Sequence, residues 1–293
     1  MDPRGLDNNV DLEVAAGFGR EWSRFRQDED HLPRGERVKI FDDYFRIFPW
    51  HLLPAGGGVG IDVGCGTGRW AIEVAPRVAH LHLLDASPDA LAVAKENLRV
   101  TKNVSFHAKS VAEIPLPPHS LDFAYSLGVL HHVPNTQAAI GAIADKLKPG
   151  APFLIYLYYA FDNRPAWYRL LWRLTNVGRL AVSRLPYPLR LVVSNAIAAL
   201  VYWPLARAAG VLSRLGILPK SLPLAWYADK SFYVMRTDAY DRFCTSLEKR
   251  FTRDEIERML QRAGFESVRF SDRAPFWCAV AVKSAMPRAP NEG

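Results

Sequence analysis

Short apolar runs alternate with longer amphipathic stretches along residues 58–160. The apolar runs predict five strands, at 58–63, 80–85, 104–108, 121–126 and 152–159. The stretches between them predict helices at 69–75, 87–98 and 136–147. Strands and helices that alternate at this spacing are typical of a parallel, doubly wound sheet. In such sheets, ligands bind beyond the carboxyl ends of the strands.

The alternation stops at residue 161 and resumes near residue 252. Thr252, with Glu255 three residues later, has the pattern of a capping box and predicts the start of a helix. Two closing strands are predicted after that helix, at 267–270 and 276–283. The predicted fold is therefore α/β, with a doubly wound, mostly parallel, seven-stranded sheet and a helical insertion after the fifth strand.

Aromatic residues recur at helical spacing near the N terminus, where Phe18, Trp22 and Phe25 predict a first helix. A second helix is predicted at 36–48. We expect these helices to fold over the ligand site as a lid, and plain hydrophobic packing against the sheet is the alternative. The predicted parts of the chain are a helical lid at 1–52, a core at 53–160 plus 235–285, and a helical insertion at 161–234.

The net charge of +7 is concentrated in one region of the 293 residues. Residues 161–234 contain ten Lys or Arg and two acidic residues, so they carry +8 and the remainder is nearly neutral. The basic residues alternate with apolar ones and do not line a polar face, so a nucleic-acid binder is not favoured. Ordinary surface arginines on packed helices are the alternative interpretation.

The three cysteines, Cys65, Cys244 and Cys278, lie far apart and form no CxxC pair. This spacing argues against a disulfide scaffold and a zinc site, and we expect no metal. The polar, acidic N terminus does not resemble a secretory signal, and no uninterrupted apolar run reaches the roughly 18 residues that cross a bilayer. We therefore expect a cytoplasmic protein.

The stretch VGIDVGCGTGRW, residues 59–70, places three glycines after a predicted strand, with Asp62 just before them. A P-loop is excluded because no Lys-Ser or Lys-Thr follows, and a dinucleotide fingerprint fits only weakly. A carboxylate at the strand end would repel a pyrophosphate in a partly desolvated site. The same carboxylate would favour an ammonium or a sulfonium, so the loop indicates a cationic, phosphate-free ligand.

Five ordered motifs resemble those of class I S-adenosylmethionine-dependent methyltransferases. They are IDVGCGTG, LLDASPDAL, AEIPLPPHSLDFAYS, LGVLHHVPN and LKPGAPFLIY. The resemblance covers residues 59–158 and 252–283, and the opening FGREWSRF is similar to those of bacterial methyltransferases of glycan and natural-product pathways. It implies S-adenosylmethionine as the cofactor.

The resemblance also implies a role for individual residues. Asp62 would neutralise the methionyl amino group, and Asp85 would accept hydrogen bonds from the ribose hydroxyls. Helix capping by Asp62 and a turn role for Asp85 remain the alternatives. The other implied cofactor contacts are Gly64, Cys65, Gly66, Gly68, Ala86, Ser110, Val111, Ser126 and Leu127. Ser110 departs from the aspartate of many relatives, which predicts a weaker contact to adenine.

His131 and His132 follow the fourth predicted strand, at the position that often faces the substrate in relatives. A histidine there could accept the proton of a hydroxyl acceptor near neutral pH, and His132 is the preferred candidate. The alternative is that one or both only hydrogen-bond the loop. Tyr156, Tyr158 and Tyr159 are candidates for the wall of the site.

Residues 191–206 of the insertion carry no charge and are flanked by Arg190 and Arg207. The stretch is slightly short for a membrane crossing, and we expect Pro204 to interrupt its end. A helix of this kind is either buried or lies in a membrane interface. We expect a cap for a bulky apolar acceptor, with peripheral membrane contact through 186–216, and burial in a homodimer is the alternative.

Together these patterns predict methyl transfer to a small or lipid-linked acceptor, most plausibly at a hydroxyl oxygen. The alternatives are a carbon or nitrogen methyltransferase of a quinone-like or natural-product acceptor, and a membrane-associated protein that binds the cofactor without transferring a methyl group.

Overall fold

The computed structural model describes residues 8–217 and 222–285. These residues form two compact units. The first unit contains residues 8–28, 37–160 and 249–285, and the second contains residues 29–36, 161–217 and 222–248.

A seven-stranded sheet forms the centre of the first unit, with the strand order β3-β2-β1-β4-β5-β7-β6. The first five strands are parallel, and β7 runs antiparallel to both β5 and β6. The strands are β1 Val59–Val63, β2 His80–Asp85, β3 Val104–Ala108, β4 Phe123–Leu127, β5 Pro152–Tyr156, β6 Phe265–Phe270 and β7 Cys278–Lys283. The predicted doubly wound, mostly parallel, seven-stranded sheet is confirmed.

Ten α-helices accompany the sheet in the described residues. They are α1 Leu12–Arg24, α2 Arg34–Phe45, α3 Ala71–Val74, α4 Pro88–Asn97, α5 Thr136–Lys146, α6 Ala166–Val182, α7 Tyr187–Ile197, α8 Trp203–Arg214, α9 Phe232–Cys244 and α10 Arg253–Arg262. The predicted capping box is present, since Thr252 accepts from the Glu255 amide and the Glu255 carboxylate accepts from the Thr252 amide. Reciprocal bonds of this kind satisfy two amides that a helix N terminus otherwise leaves unpaired.

The core of the first unit is a continuous apolar cluster of side chains from β1, β4, β5, α5 and α10, including the fully buried Phe153 and Ile140. One glycine makes room for a core side chain, because a Cβ atom on Gly60 would lie 2.1 Å from the ring of Phe123. The close packing of protein interiors leaves no room for that overlap. Gly60 of β1 therefore lets the ring of Phe123, its partner on β4, pack over it.

The fourth and fifth strands differ from their predicted limits. The fifth strand was expected to reach Tyr159, but β5 ends at Tyr156, where the Gly128 amide donates to its carbonyl at 3.1 Å. Gly128 has a φ of +80°, so the neighbouring chain turns away and the parallel pairing stops. Tyr159 instead forms an isolated parallel bridge with Phe251.

The second unit is helical and is built from α6 to α9. Ala198, Tyr202 and Ala206 are buried against Met235 and Ala239 of α9. We predicted that the insertion ends at residue 234, but α9 lies in this unit, whose last residue is 248. This boundary is set by the packing of α9 against the other helices of the unit. The charge and proline pattern of the sequence does not reveal that packing. The predicted segment 1–52 is not a unit of its own, since residues 29–36 lie in the second unit and the rest of its described residues lie in the first.

Helices α7 and α8 form one continuous helix, Tyr187–Arg214, of 28 residues. We expected Pro204 to interrupt it, but a π-helical turn at Ala198–Tyr202 precedes the proline. Proline lacks an amide donor and clashes with the carbonyl four residues earlier, and a wider helical turn accommodates both effects. Among the described residues, this one helix is long and apolar enough to cross a membrane. Length and composition alone are weak evidence for a crossing.

The clustered histidines on β2 and β3 predict that the protein loses stability in mild acid. His82 Nδ1 lies 3.0 Å from His107 Nε2, and the ring centroids of His80 and His82 are 4.7 Å apart. Burial, and then the neighbouring His80 and His107, lower the pKa of His82 to about 4. The unfolded chain therefore binds more protons between the ordinary histidine pKa and pH 4, so the free energy of unfolding falls as the pH drops through that range.

Replacing this side chain by His82→Gln removes that titration. We expect the melting temperature of the variant to fall less between pH 7 and pH 5 than that of the wild type, measured by circular dichroism. The exposed His51 provides the control, because His51→Gln should keep the wild-type pH dependence. Equal losses in all three proteins would contradict the assignment.

Candidate functional site

The glycine loop begins where β1 ends and is tied to the end of β2. The amides of Gly64 and Cys65 both donate to the carbonyl of Leu84, at 2.7 and 3.1 Å. Gly64 has a φ of +79°, and a Cβ atom there would lie 2.3 Å from a methyl carbon of Val129. Only glycine fits this turn, so the close approach that the sequence predicts at this loop is a geometric requirement.

Asp85 is the last residue of β2, and its carboxylate organises the loop. One oxygen accepts from the Gly66 amide at 2.9 Å, and the other accepts from the Ser87 amide at 2.8 Å. Burial raises the pKa of Asp85, and these two hydrogen bonds oppose that shift. Each carboxylate oxygen has a further lone pair, so Asp85 can still accept bonds from a ligand's hydroxyl groups.

Asp62, on β1, is 1% exposed, and neither of its carboxylate oxygens has a hydrogen-bond partner among the described residues. Burial raises the pKa of this carboxyl group to about 8, and the negative charge of Asp85 adds to the shift. The Arg69 guanidinium acts in the opposite direction, and so does the nearby Tyr125 hydroxyl, although its geometry falls short of a full hydrogen bond. Buried polar groups in proteins are nearly always paired, so this carboxylate indicates a cationic ligand group at the end of β1.

The other predicted cofactor residues lie at the same edge of the sheet in different environments. The Ser126 hydroxyl is buried and donates to the carbonyl of Val63 at 2.8 Å, which ties the end of β4 to the end of β1. Ser110 donates a long bond of 3.4 Å to the Glu113 carboxylate. The thiol of Cys65 is buried, and its pKa is raised by burial and by two nearby carboxylates. Val111 and Leu127 are buried, Ala86 is exposed, and Gly68 closes the loop by donating to the Cys65 carbonyl at 2.8 Å.

Helix α1 lies over this edge of the sheet. A Cβ atom on Gly66 would be 3.2 Å from the Trp22 indole nitrogen, so the indole covers the glycine loop. One turn earlier, the Phe18 ring meets the ring of His132 edge to face, with centroids 4.9 Å apart. Gly19 allows the approach, since a Cβ atom there would be 2.5 Å from the Ser87 hydroxyl oxygen.

Both ends of α1 are anchored to the core. Before the helix, Asn9 exchanges two hydrogen bonds with the backbone of Asn135, at 2.9 and 2.7 Å. After the helix, the Asn97 amide donates to the carbonyls of Arg26 and Thr67, at 2.9 and 3.0 Å. These bonds attach one end of α1 to the start of α5 and the other end to the end of α4, so the helix lies across the glycine loop.

His131 and His132 are both buried beside Tyr158. The ring of His131 stacks on Tyr158, with centroids 3.8 Å apart, and lies 4.0 Å from the ring of His132. Burial first, and then the neighbouring His132 and Arg250, hold the pKa of His131 well below its usual range. His131 therefore stays neutral and is a weak base. Neither of its ring nitrogens has a hydrogen-bond partner among the described residues.

Two groups of site residues were missed by the sequence analysis. Tyr44 of α2 contacts Tyr156 and Trp70, at centroid distances of 5.1 and 4.9 Å, and so extends the aromatic wall. Lys249 holds the histidine loop. Its backbone amide donates to the His131 carbonyl at 3.1 Å, and its ammonium donates to the carbonyls of Val133 and Pro134.

The signals for these residues were weak or absent. Tyr44 lies within the second predicted helix, and nothing in the sequence pairs it with β5. Lys249 lies more than one hundred positions from the loop that it holds, so local pattern could not find it. Tyr159 was expected near the wall, but it contacts Phe276 and Trp277 instead.

Comparison with known proteins identifies the class of this site. Residues 61–150 match a family described as a methyltransferase domain. The ubiquinone biosynthesis O-methyltransferase of Shewanella pealeana is 33% identical over 54% of this chain and 65% of its own length. Phosphoethanolamine N-methyltransferase 2 of Caenorhabditis elegans is 31% identical over 35% of this chain and 24% of its own length. The chain spans between 24% and 65% of the length of the curated relatives it is compared with.

A solved methyltransferase from Thermotoga maritima, described as a possible histamine N-methyltransferase, aligns with 91% of this chain and 99% of its own. Its sequence identity is 13% and its TM-score is 0.47, so this likeness carries no argument about function. The match identifies an S-adenosylmethionine-dependent methyltransferase domain at residues 61–150 of the first unit, with S-adenosylmethionine as its cofactor. The unpaired carboxylate of Asp62, the open lone pairs of Asp85 and the glycine turn fit this cofactor.

The unpaired carboxyl group of Asp62 predicts opposite effects on binding and on stability. In Asp62→Asn, loss of a charge-assisted contact worth about 1.5–3 kcal/mol should raise the dissociation constant of S-adenosylhomocysteine about 10- to 150-fold. In the wild type, the pKa of about 8 means that affinity should increase as the pH rises from 6 towards 8. Calorimetric titration at several pH values measures both effects.

The same substitution should stabilise the protein without ligand. A carboxyl group whose pKa is raised on folding contributes stability at low pH and loses it as the pH rises through the folded value, here about 8. Asp62→Asn has no such loss, so its melting temperature at pH 8.5 should exceed that of the wild type. An unchanged affinity together with a lower melting temperature would remove Asp62 from the site.

Proposed function

We propose that the protein transfers the methyl group of S-adenosylmethionine to a hydroxyl oxygen of a small or lipid-linked acceptor. The observation that carries this proposal is the unpartnered carboxylate of Asp62 beside Asp85. The O-methyltransferase of ubiquinone biosynthesis among the relatives supports oxygen as the acceptor atom. Because an N-methyltransferase is also among the relatives, transfer to nitrogen is the second candidate.

In this proposal, the chain holds the cofactor mainly through backbone and carboxylates. Asp62 neutralises the methionyl ammonium, and Asp85 accepts from the ribose hydroxyls. Val111 and Ala86 take the adenine, with the weaker contact at Ser110. The cofactor supplies a methyl group on a positively charged sulfur, which is an activated leaving group. The protein then has to position the acceptor and exclude water, and orientation of this kind contributes about 7–11 kcal/mol to such reactions.

The acceptor's proton is the second requirement for transfer to oxygen. We assign it to His132, since His131 has a depressed pKa and is a weak base. Lys249 fixes the backbone of this loop through three carbonyls, so the histidine ring is held in place. The competing role for both histidines is to shape the loop without moving a proton.

A lipid-linked acceptor is supported by the second unit. Its helices α6, α7 and α8 expose many large apolar side chains, and these three helices carry arginines without acidic residues. In this proposal the protein is cytoplasmic and peripheral at the membrane, and residues 186–216 contact the lipid. Burial of the same helices in a homodimer is the competing arrangement. A carbon or nitrogen methyltransferase of a quinone-like acceptor, and a protein that binds the cofactor without transfer, remain the alternatives for the function.

The role of His132 is tested by transfer of a labelled methyl group to phenols and catechols, with and without an isoprenoid tail. His132→Gln should lower kcat about 10²- to 10⁴-fold at pH 7, the usual effect of removing a general base. The affinity for S-adenosylhomocysteine should not change. His51→Gln, at an exposed position, is the matched control. Full activity of His132→Gln would exclude this histidine as the base, and absence of transfer to any acceptor by the wild type would favour the non-catalytic alternative.

The lid role of α1 is tested at Trp22. Trp22→Ala removes the indole over Gly66, so water reaches the loop and the cofactor product should dissociate faster. Loss of a buried aromatic contact of about 1–3 kcal/mol corresponds to a roughly 5- to 150-fold weaker affinity. Stopped-flow release of S-adenosylhomocysteine measures the rate, and Trp203→Ala, exposed in the second unit, is the control. Equal release rates in both variants would indicate that α1 only packs against the sheet and does not act as a lid.

A further inference from the structure

The second unit exposes an apolar surface that soluble proteins rarely leave uncovered. Nineteen large apolar side chains are exposed in the described residues, and fifteen of them lie between Trp167 and Ile217. Exposed apolar side chains concentrated in one unit in this way indicate an interaction site. The remaining exposed side chains, such as Leu52 and Val100, are scattered singly in the chain and need no such explanation.

Helix α6 carries a regular stripe within this surface. Trp167, Leu170, Leu171, Leu174 and Val177 recur at intervals of three and four residues, so they share one side of the helix. All five are exposed, and Leu174 and Val177 are 64% and 68% exposed. Another side of α6 faces its own unit, where the buried Arg179 donates to the Thr245 carbonyl at 2.7 Å.

The long helix Tyr187–Arg214 is also two-sided. Ser194, Ala198, Tyr202 and Ala206 are buried in the second unit, whereas Val192 and Leu200 are 65% and 76% exposed. Arg207 donates to the carbonyls of Ala228 and Lys230, at 3.1 and 2.9 Å, which holds the buried side in place. A helix attached along one side and apolar on the other suits the plane of a membrane interface better than a crossing.

Charge identifies the partner of this surface. Residues 163–228 contain nine Arg or Lys and no acidic residue, and four of these arginines, Arg169, Arg173, Arg184 and Arg214, are exposed. In a symmetric dimer the same patch meets itself, so arginines would face arginines with no carboxylate to compensate. An anionic bilayer offers hydrocarbon to the apolar side chains and phosphates to the arginines, which satisfies both.

We infer that the exposed sides of α6 and of helix Tyr187–Arg214 together form a docking face for an anionic lipid bilayer, on which both helices lie without crossing it. We call it the lipid face. The membrane contact proposed above involves residues 186–216 alone, and the lipid face adds α6 to it. This inference rests on the membrane contact of the proposed function and deepens it, and docking itself needs neither cofactor nor acceptor.

The test is flotation of the full chain with vesicles of phosphatidylcholine, alone or with about 30% phosphatidylglycerol. We expect flotation with the anionic vesicles and little with the neutral ones. A carbonate wash at high pH should release the protein. Flotation with neither vesicle, or protein that resists the wash, would overturn the inference, since resistance indicates a helix that crosses the bilayer.

Two pairs of variants separate the apolar and the basic contributions. Leu174→Glu with Val177→Glu should abolish flotation, whereas the matched pair Leu52→Glu with Val100→Glu, also at exposed positions, should float as the wild type does. Arg169→Gln with Arg173→Gln should weaken binding about 30-fold, since an arginine near an anionic surface contributes about 1 kcal/mol. The control for that pair is Arg99→Gln with Arg262→Gln, which should bind normally.

Two further measurements complete the test. All variants should keep the wild-type affinity for S-adenosylhomocysteine and the wild-type melting temperature, so failure of docking is distinguishable from failure of the proposed reaction. Analytical ultracentrifugation without lipid should show a monomer. A dimer that dissociates in Leu174→Glu with Val177→Glu would assign the lipid face to a second copy of the chain and overturn the inference.

Discussion

The free-energy cost of burying the Asp62 carboxylate is the constraint on which the methyltransferase site depends. Desolvation favours the protonated form, and the nearby Tyr125 and Arg69 oppose it only in part, since neither carboxylate oxygen is in hydrogen-bond geometry with a described residue. The fold without ligand tolerates the group because its pKa of about 8 keeps it largely neutral at physiological pH. A cationic ligand changes that balance, so binding is coupled to release of a proton. This coupling favours a ligand with a positive charge and disfavours one with a phosphate.

The rest of the site increases this selectivity. The strand order changes direction between β1 and β4, which is where ligands bind in doubly wound sheets. Asp62 and Asp85 lie on adjacent strands there, and Phe18 and Trp22 of α1 cover the same edge. Aromatic cover lowers the local dielectric, which raises both the desolvation cost and the attraction of each carboxylate for its partner. The anchored α1 and the buried carboxylate therefore act on the same equilibrium.

Local pattern predicted those parts of the structure that local forces determine. The β2 and β3 limits agree with their apolar runs, and Thr252 caps a helix as expected. The residues that were missed act over long distances in sequence, such as Lys249 on the histidine loop and Tyr44 on β5. Pro204 was misjudged for a different reason, because a π-helical turn compensates for a proline and leaves no mark in the sequence.

The two units differ in how much of their apolar surface is covered. In the first, the apolar residues of the sheet meet helices on both sides, and charge is nearly balanced along its segments. In the second, α9 covers one side of the long helix, and the opposite side keeps its apolar residues in water. Water opposes that exposure at about 25 cal/mol per Å², so fifteen large side chains represent a substantial driving force for association. The same segment also carries the excess positive charge, with Arg169, Arg173, Arg184 and Arg214 exposed, so a partner that offers both hydrocarbon and anions would match the proposed lipid face.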